Sequence, residues 1–326
     1  MLLVTGGAGF IGSNLVASLN EAGRADIAVC DILGSDDKWR NLQKRQLADF
    51  VAPADLPRWL DGRKLDAVIH LGAISDTTAT DGDLVLATNF HLSLRLLDWC
   101  TQSRTTFIYA SSAATYGDGG NGFADDWSLA ALKNLRPLNL YALSKHLFDL
   151  ALVERVAQHQ QLPPQWVGLK YFNVFGPNEY HKGAMASVLA RVFDKAKAGE
   201  PVRLFKSYRR DVPDGDQRRD FIYVDDAVAV TRWVMDTPSV SGIFNVGTGQ
   251  AQSFCVMIEA MFAALGRAPN IEYIDMPDAL RDKYQYFTQA EVANLRKAGY
   301  NAGFTPLSIA VERYVRGFLD QPDRYR

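Results

Sequence analysis

The first half of the chain alternates short, uninterrupted apolar runs with stretches in which apolar residues recur every three or four positions. The runs are typical of buried strands, and the second spacing is typical of helices that bury one face. The predicted strands are 2–4, 27–31, 67–73, 106–110, 166–172, 221–224 and 242–246, and the predicted helices are 11–19, 84–100, 140–157 and 188–197. Strands that are apolar throughout and alternate with helices indicate a parallel sheet covered on both faces.

Three glycines lie between the first predicted strand and the first helix. Gly6, Gly9 and Gly12 form a G-x-x-G-x-x-G pattern, and Asp31 follows 19 residues after the last of them. Glycine permits the tight turn and lets a pyrophosphate approach the backbone at the helix N-terminus. A carboxylate at the end of the second strand is placed to bind the adenosine ribose. The pattern therefore predicts a site for a dinucleotide.

The choice between NAD and NADP stays open from these residues alone. Asp31 favours NAD, because a carboxylate accepts a hydrogen bond from the 2′-hydroxyl and disfavours a 2′-phosphate. Four basic residues follow closely, and any of them could neutralise a phosphate: Lys38, Arg40, Lys44 and Arg45.

The alternation of strands and helices becomes less regular after residue 173. The stretch 206–219 is highly charged, so we expect a mobile surface loop there. We predict an α/β protein with a doubly wound, Rossmann-like parallel sheet and a smaller mixed α/β substrate domain. The nucleotide-binding domain comprises 1–171, with 223–248 and about 299–310 returning to it; the substrate domain comprises 172–222, 249–298 and 311–326.

Composition excludes several other classes of protein. The 326 residues include 35 basic and 37 acidic side chains, and this balance argues against a nucleic-acid partner. Cys30, Cys100 and Cys255 are isolated, which fits buried thiols in a reducing compartment rather than disulfides. The five histidines show no metal-ligand spacing, so we expect no metal. We also expect no membrane span and no signal peptide, and hence a cytoplasmic protein.

Tyr141 and Lys145 predict a catalytic pair. Residues four apart lie on one face of a helix, and a nearby ammonium favours the phenolate and lowers the pKa of the tyrosine. Ser112 follows the strand 106–110, at the sheet edge where active sites of open parallel sheets collect. Its hydroxyl could bind a substrate alcohol or ketone.

The chain resembles the extended short-chain dehydrogenases/reductases that act on nucleotide sugars. The matching motifs are TGGAGFIG at 5–12, Ser111-Ser112, Tyr141 with Lys145, YFNVFGP at 171–177, RDFIYV at 219–224 and NVGTG at 245–249. The resemblance is closer still to the heptose 6-epimerase branch of that superfamily. ASSAATYG at 110–117, HKGAMAS at 181–187, Tyr284-Gln285 and FTQ at 287–289 carry this second match.

This resemblance implies a substrate and a cofactor. Members of the branch epimerise an ADP-linked heptose for the lipopolysaccharide inner core, hold NADP tightly and form homopentamers. The resemblance thus favours NADP, with Lys38 as the partner of its phosphate. It also implies a second proton-transfer group, Lys182, since the C6 alcohol oxygen lies on different sides of the site in the two epimers.

The remaining site residues are also implied by the resemblance. The cofactor would contact Gly6, Gly9, Phe10, Ile11, Gly12, Asp31, Ile32, Lys38, Leu71, Gly72, Ala73, Ile74, Ser75, Asn89, Tyr141, Lys145, Val174 and Lys182. The substrate would contact Ser112, Asn173, Ala184, Arg219 and Tyr284. Two features depart from the branch: the stretch 206–219 is longer, and Ala184 stands where a serine is expected.

Three other functions fit these residues less well. A UDP-hexose 4-epimerase would share the cofactor half but has no need of Lys182. A 4,6-dehydratase would need an acidic pair beside Ser112, and residues 113–115 supply none. A non-catalytic sensor that binds NAD(P) would usually have lost Tyr141 or Lys145.

Overall fold

A computed structural model describes residues 1–281 and 284–326. The strands in this part of the chain are β1 Leu2–Thr5, β2 Ile27–Cys30, β3 Asp49–Val51, β4 Ala67–His70, β5 Thr106–Ser112, β6 Trp166–Tyr171, β7 Asn173–Phe175, β8 Val202–Phe205, β9 Arg218–Tyr223, β10 Gly242–Val246, β11 Ala251–Ser253 and β12 Ile271–Ile274. The helices are α1 Phe10–Glu21, α2 Leu56–Leu60, α3 Gly82–Leu86, α4 Leu92–Ser103, α5 Leu129–Asn134, α6 Leu140–Ala157, α7 Val188–Ala198, α8 Val224–Met235, α9 Phe254–Ala264, α10 Asp278–Arg281, α11 Ala293–Lys297 and α12 Leu307–Tyr314. Short 3₁₀ or π turns occupy Asp37–Leu42, Ala87–His91, Ala113–Tyr116, Tyr180–Met185 and Val315–Leu319.

Seven parallel strands form the main sheet in the order β10-β6-β5-β4-β1-β2-β3. The chain starts at β1, moves outward to β3 and then returns to β4 on the other side of β1. This reversal creates a crevice beyond the carboxyl ends of β1 and β4, where such sheets bind their ligands. The doubly wound sheet predicted from the sequence is confirmed.

Successive residues of β1 serve two separate cores. Leu2 and Val4 pack into the core on one face of the sheet, whereas Leu3 packs into the core on the other face. Neighbouring side chains of a strand point to opposite faces, so a strand covered on both sides needs apolar residues at every position. This is why the strands read as continuous apolar runs.

Two small sheets lie beyond the main one. β11, β9 and β7 form a three-stranded sheet, and β12 pairs with β8. β10 follows β7, β8 and β9 along the chain. It nevertheless belongs to the main sheet, where residues Gly242 to Val246 pair with β6. The division of the chain into two domains stays a prediction.

The structure corrects three details of the sequence prediction. Residues 71–73 lie beyond the end of β4, which stops at His70 because the chain there turns toward the glycine loop. Residues 87–91 form a π turn that divides the helix predicted over 84–100. Arg218 and Arg219, predicted in the charged loop, belong to β9 and pair with Ser253 and Gln252 of β11.

The segment 322–326 packs against elements that lie far from it along the chain. Tyr325 lies between Arg40, whose guanidinium carbon is 4.6 Å from the ring centroid, and the Tyr180 ring at 5.2 Å. Arg326 pairs with Glu21 and with Asp225. This segment therefore joins α1, the turn at 37–42 and the turn at 180–185. Within the described residues, no helix is both long and apolar enough to cross a membrane.

Candidate active site

The glycine loop has no room for side chains. Gly6 has a φ of +68°, and a Cβ there would lie 2.5 Å from the backbone nitrogen of Gly72. A Cβ on Gly12 would overlap the carbonyl oxygen of Gly6. Gly9 precedes α1 without a side-chain cap, so the first backbone N–H groups of the helix stay available to a ligand. The loop fits a pyrophosphate held against bare backbone.

Asp31 lies at the end of β2, beside this loop. Its Oδ2 accepts a hydrogen bond from the Ala8 backbone N–H at 2.8 Å, and its Oδ1 accepts one from the Lys38 ammonium at 2.7 Å. Lys38 is thus the basic residue that the structure brings next to Asp31. Arg40 stacks on Tyr325 instead, and Lys44 pairs with Asp323.

The segment 71–75 is braced by Asn89. The Asn89 side chain is fully buried; its Oδ1 accepts from the Ile74 N–H at 2.8 Å, and its Nδ2 donates to the Ile74 carbonyl at 2.9 Å. Nδ2 also donates to the Ser144 hydroxyl at 2.9 Å. Asn89 therefore fixes the backbone of this segment and ties it to α6.

Tyr141, Lys145 and Ser112 come together at the carboxyl end of β5. Asn139 caps α6 by accepting a hydrogen bond from the Ala142 N–H at 2.9 Å, which fixes the start of the helix. The Lys145 ammonium donates to the Ala110 carbonyl at 2.7 Å. Burial lowers the pKa of Lys145 to about 8, although the Asp149 carboxylate opposes the change.

The pKa of Tyr141 differs from the expectation. We expected the Lys145 ammonium to lower it, but burial raises the pKa of Tyr141, and a hydrogen bond with Ser112 opposes that rise. Burial has the larger effect although Tyr141 is only half-buried, and the Lys145 ammonium is bound to the Ala110 carbonyl. The Ser112 hydroxyl also accepts a hydrogen bond from the Ala114 N–H at 3.1 Å.

Lys182 lies beside the start of α1. Its ammonium nitrogen is 5.2 Å from the centroid of the Phe10 ring, and Phe10 is the first residue of that helix. Burial lowers the pKa of Lys182, and the nearby Glu179 carboxylate opposes the change. Glu179 is itself fully buried and accepts hydrogen bonds from the Ser187 hydroxyl and N–H, both at 2.6 Å. These bonds close the turn that carries Lys182.

Arg219 and Tyr284 lie together on the side of the small sheets. The Arg219 guanidinium carbon is 5.3 Å from the Tyr284 ring centroid and 5.7 Å from that of Phe254. The side chain is only 8% exposed, and burial lowers its pKa. Within the described residues it has no carboxylate partner, so an anionic ligand is the natural counter-charge.

The other predicted substrate residues are more exposed. Asn173 is exposed at the start of β7, where its Oδ1 accepts a long hydrogen bond of 3.4 Å from Thr288. Ala184 is exposed within the turn at 180–185, and Val174, which was predicted to contact the cofactor, is half-buried. Arg191 was missed by the sequence analysis. It lies on α7 near Tyr284. Burial raises the pKa of Tyr284, and the positive charge of Arg191 lowers it.

Comparisons with known proteins identify the family. The model of the NAD dependent epimerase/dehydratase family matches residues 2–247. An ADP-L-glycero-D-manno-heptose-6-epimerase of Nitratidesulfovibrio vulgaris is 46% identical and covers 100% of both chains. The crystal structure of the Helicobacter pylori ADP-L-glycero-D-manno-heptose-6-epimerase is 30% identical, with a TM-score of 0.79 and coverage of 97% of this chain and 95% of that one.

A solved 4-epimerase is also similar. The Thermus thermophilus UDP-glucose 4-epimerase complex with NAD is 27% identical, with a TM-score of 0.74, and covers 97% of this chain and 99% of that one. Its identity is well below the 46% of the Nitratidesulfovibrio vulgaris relative over a comparable length. The chain therefore belongs to the NAD dependent epimerase/dehydratase family and, within it, is grouped by sequence with the ADP-L-glycero-D-manno-heptose-6-epimerases.

Proposed function

We propose that the protein inverts C6 of ADP-D-glycero-β-D-manno-heptose and gives ADP-L-glycero-β-D-manno-heptose. The relatives of that name support this reaction, at 46% identity over the full length in the first of them. The observation that carries the proposal is the position of Lys182, 5.2 Å from the Phe10 ring at the start of α1. It supplies a second amine near the cofactor loop, separate from the Tyr141–Lys145 pair, and a 4-epimerase has no use for such a group.

The cofactor is a nicotinamide dinucleotide, and we propose NADP. The bare-backbone loop at Gly6 and Gly12 fits the pyrophosphate. Lys38 would bind the 2′-phosphate, because its ammonium lies 2.7 Å from Asp31 at the ribose end of the site. When bound, the cofactor supplies a hydride acceptor at C6 and then a hydride donor to the resulting ketone. Leu71–Ser75, held by Asn89, would line its nicotinamide end.

Two residues would exchange the C6 hydroxyl proton. C6 is exocyclic, so rotation about the C5–C6 bond presents either face of the ketone for reduction, and the oxygen changes sides. Proton transfer needs contact at about 2.6–3.2 Å, so one fixed group cannot serve both positions. We assign Tyr141 to one epimer and Lys182 to the other, with Ser112 binding the oxygen and Lys145 binding the nicotinamide ribose.

The ADP part of the substrate would be bound on the side of the small sheets. Arg219 and Tyr284 would hold the diphosphate, because Arg219 is a buried cation with a tyrosine face on it. Asn173 and Ala184 would lie along the sugar. A serine at position 184 would offer a hydroxyl, so the substrate loses one hydrogen bond there or finds another donor.

Three properties complete the proposal. The protein would act in the cytoplasm, in the supply of heptose for the lipopolysaccharide inner core. It would assemble as a homo-oligomer, by resemblance a pentamer. We expect no nucleic acid, membrane or metal to take part in the reaction.

The test is a proton NMR time course of the purified protein with ADP-D-glycero-β-D-manno-heptose and no added cofactor. We expect the L-glycero epimer to appear, because the cofactor is retained and recycled. Extraction of the denatured enzyme should then release NADP rather than NAD. No conversion, even after NADP and then NAD are added, would remove the heptose assignment. UDP-glucose and UDP-galactose are the next substrates in that case, and their interconversion would establish a 4-epimerase.

A further inference from the structure

Three consecutive residues at the end of β5 are each fixed by a different side chain. The Ala110 carbonyl accepts a hydrogen bond from Lys145, and the Ser111 hydroxyl donates to Asp149 Oδ2 at 2.7 Å. The Ser112 carbonyl accepts from the Thr115 hydroxyl at 2.8 Å. This strand end carries Ser112, so its position determines where the Ser112 hydroxyl meets Tyr141.

A buried ion pair lies behind this strand end. The Lys170 ammonium on β6 is 3.1 Å from Asp149 Oδ2 on α6, and the two side chains are 2% and 0% exposed. Asp149 Oδ1 also accepts a hydrogen bond from the Tyr109 hydroxyl at 2.8 Å. Lys170 donates to the Thr115 hydroxyl at 2.7 Å, so the pair reaches both Ser111 and Ser112.

Stability alone is a poor explanation for this pair. Removing two charges from water carries a large free-energy penalty, and replacement of a buried pair by apolar residues is often neutral or even stabilising. The neighbours of the pair are arranged for charge, since Lys170 also lies 4.7 Å over the face of the Tyr116 ring. Because burial of two charges next to the site is energetically unfavourable, the pair points to a role in the reaction.

Helix geometry connects the pair to the catalytic residues. Tyr141, Lys145 and Asp149 are spaced four residues apart on α6, so they follow one another along one face. The Asp149 carboxylate acts against the effect of burial on Lys145 and keeps its pKa from falling further than about 8. The other titratable side chains around this face are His70 on β4, Tyr109 on β5, Tyr116 in the turn at 113–116, Lys170 on β6, and Tyr141 and His146 on α6.

Of these neighbours, His70 contributes no charge near neutral pH. Burial lowers the pKa of His70 to about 3. Its Nε2 lies 2.8 Å from the Ser93 hydroxyl, which itself donates to the Asn89 carbonyl, so Nε2 is the donor. Asp149 is therefore the anion that acts on Lys145, and Lys170 is the cation that balances Asp149.

We propose that Asp149 and Lys170 are positioning residues for the reaction: they fix the Ala110–Ser112 strand end and hold the positive charge on Lys145, without contact to substrate or cofactor. This inference rests on the proposed epimerase function, because it needs a reaction in which Lys145 acts as a cation. On this proposal, the ion pair serves to position the active site rather than to stabilise the core.

The experiment is the pH profile of kcat for epimerisation, measured by NMR on Asp149→Asn, Lys170→Met and the double variant. In the unaltered enzyme, activity should fall as pH rises through the pKa of Lys145, which is about 8. Loss of the Asp149 charge should move this alkaline limb down by about one pH unit, since a neighbouring opposite charge is worth about one to three units. Loss of the Lys170 charge should move the alkaline limb up, and the limb of the double variant should lie between those of the two single variants.

The kcat of the single variants should also change. It should fall roughly 10- to 100-fold through displacement of Ser112.

Two milder variants guard against loss of folding. Tyr109→Phe removes one hydrogen bond to Asp149 and should lower kcat. It should also shift the alkaline limb slightly upward, because it takes the positive end of an O–H dipole away from Asp149, just as Lys170→Met takes away a full positive charge. Tyr171→Phe is its matched control, since the Tyr171 hydroxyl is a buried group on β6 that bonds to Thr231 instead, at 2.7 Å. The control should leave both kcat and the pH profile unchanged.

The possible outcomes separate the two proposals. Folded variants whose alkaline limb stays in place would overturn the positioning role, whatever happens to kcat. The same holds if Tyr109→Phe behaves as Tyr171→Phe does. An unaltered enzyme that converts no ADP-heptose would instead overturn the proposed function, and it would do so before any variant is made.

Discussion

The cofactor half and the substrate half of the site are built in different ways. In the cofactor half, backbone atoms at the ends of adjacent parallel strands surround the ligand, and glycines keep that backbone bare. In the substrate half, side chains from β9, α9 and the segment around 284 meet through ring faces and a buried cation. Backbone geometry follows from local sequence, whereas such side-chain contacts depend on residues distant along the chain. We therefore expect the first half to tolerate fewer substitutions than the second.

The largest expected effect is in the cofactor half. Gly12→Ala places a Cβ against the Gly6 carbonyl oxygen, a backbone atom that cannot move away without disturbing the turn. We expect a protein that no longer retains cofactor and has no measurable epimerase activity, as judged by cofactor extraction and NMR. Gly303→Ala is the control, because its Cβ would enter open space. A Gly12→Ala enzyme with normal cofactor content would mean that the loop adapts as freely as the substrate half.

Lys182 lies where the two halves meet, and its loss should be nearly as severe. Lys182→Met should lower kcat about 10²- to 10⁴-fold, the usual contribution of a general acid or base, while NADP stays bound. Lys64→Met changes an exposed lysine and should have normal activity. Full activity of Lys182→Met would remove Lys182 from the mechanism. Tyr141→Phe should behave in the same way as Lys182→Met.

In the substrate half, Arg219→Gln should act on binding rather than on chemistry. A charge-assisted hydrogen bond is worth about 1.5–3 kcal/mol, so KM should rise roughly 10- to 100-fold with kcat little changed. The neighbouring Arg218 is exposed and pairs with Asp216, so Arg218→Gln is the matched control. Equal KM values for the two variants would show that the substrate diphosphate lies elsewhere.

The smallest effect concerns cofactor choice. Lys38→Met should lower the preference for NADP over NAD about tenfold, because the unpaired Asp31 then repels the 2′-phosphate. Competition between the two cofactors for the cofactor-free protein measures this ratio. Lys44→Met tests the specificity of the effect, since Lys44 pairs with Asp323. An unchanged ratio would assign the phosphate to another basic residue.

The same contrast explains how much could be predicted from the sequence. Helix 140–157 and strand 242–246 were predicted with the bounds that the structure has, because their apolar patterns are long or sharply limited. β7, β8, β11 and β12 were not predicted, since short strands of mixed polarity give no clear period. Arg219 was assigned to a loop because charged residues surround it along the chain, and its burial comes from Phe254 and Tyr284 in space.

Site residues follow the same rule. The glycines, Asp31 and the Tyr141–Lys145 pair have spacings that reflect a single turn or helix face, so one sequence suffices to find them. The Asp149–Lys170 pair joins α6 to β6 and becomes visible only when the sheet is assembled, although Asp149 stands four residues after Lys145. The direction of the Tyr141 pKa change was wrong for a similar reason: a spacing shows which charge is near but not how deeply the ring is enclosed.

The return of β10 to the main sheet has a consequence for synthesis of the protein on the ribosome. β6 is complete at Tyr171, yet the strand that covers its outer edge ends at Val246. At about 5–20 residues per second, roughly 4–15 seconds separate the two. Throughout that interval β6, with the six residues WVGLKY, lacks its partner on the outer edge. An open edge of this kind pairs readily with other chains, so we expect newly made copies to be most prone to association before residue 246 has been added.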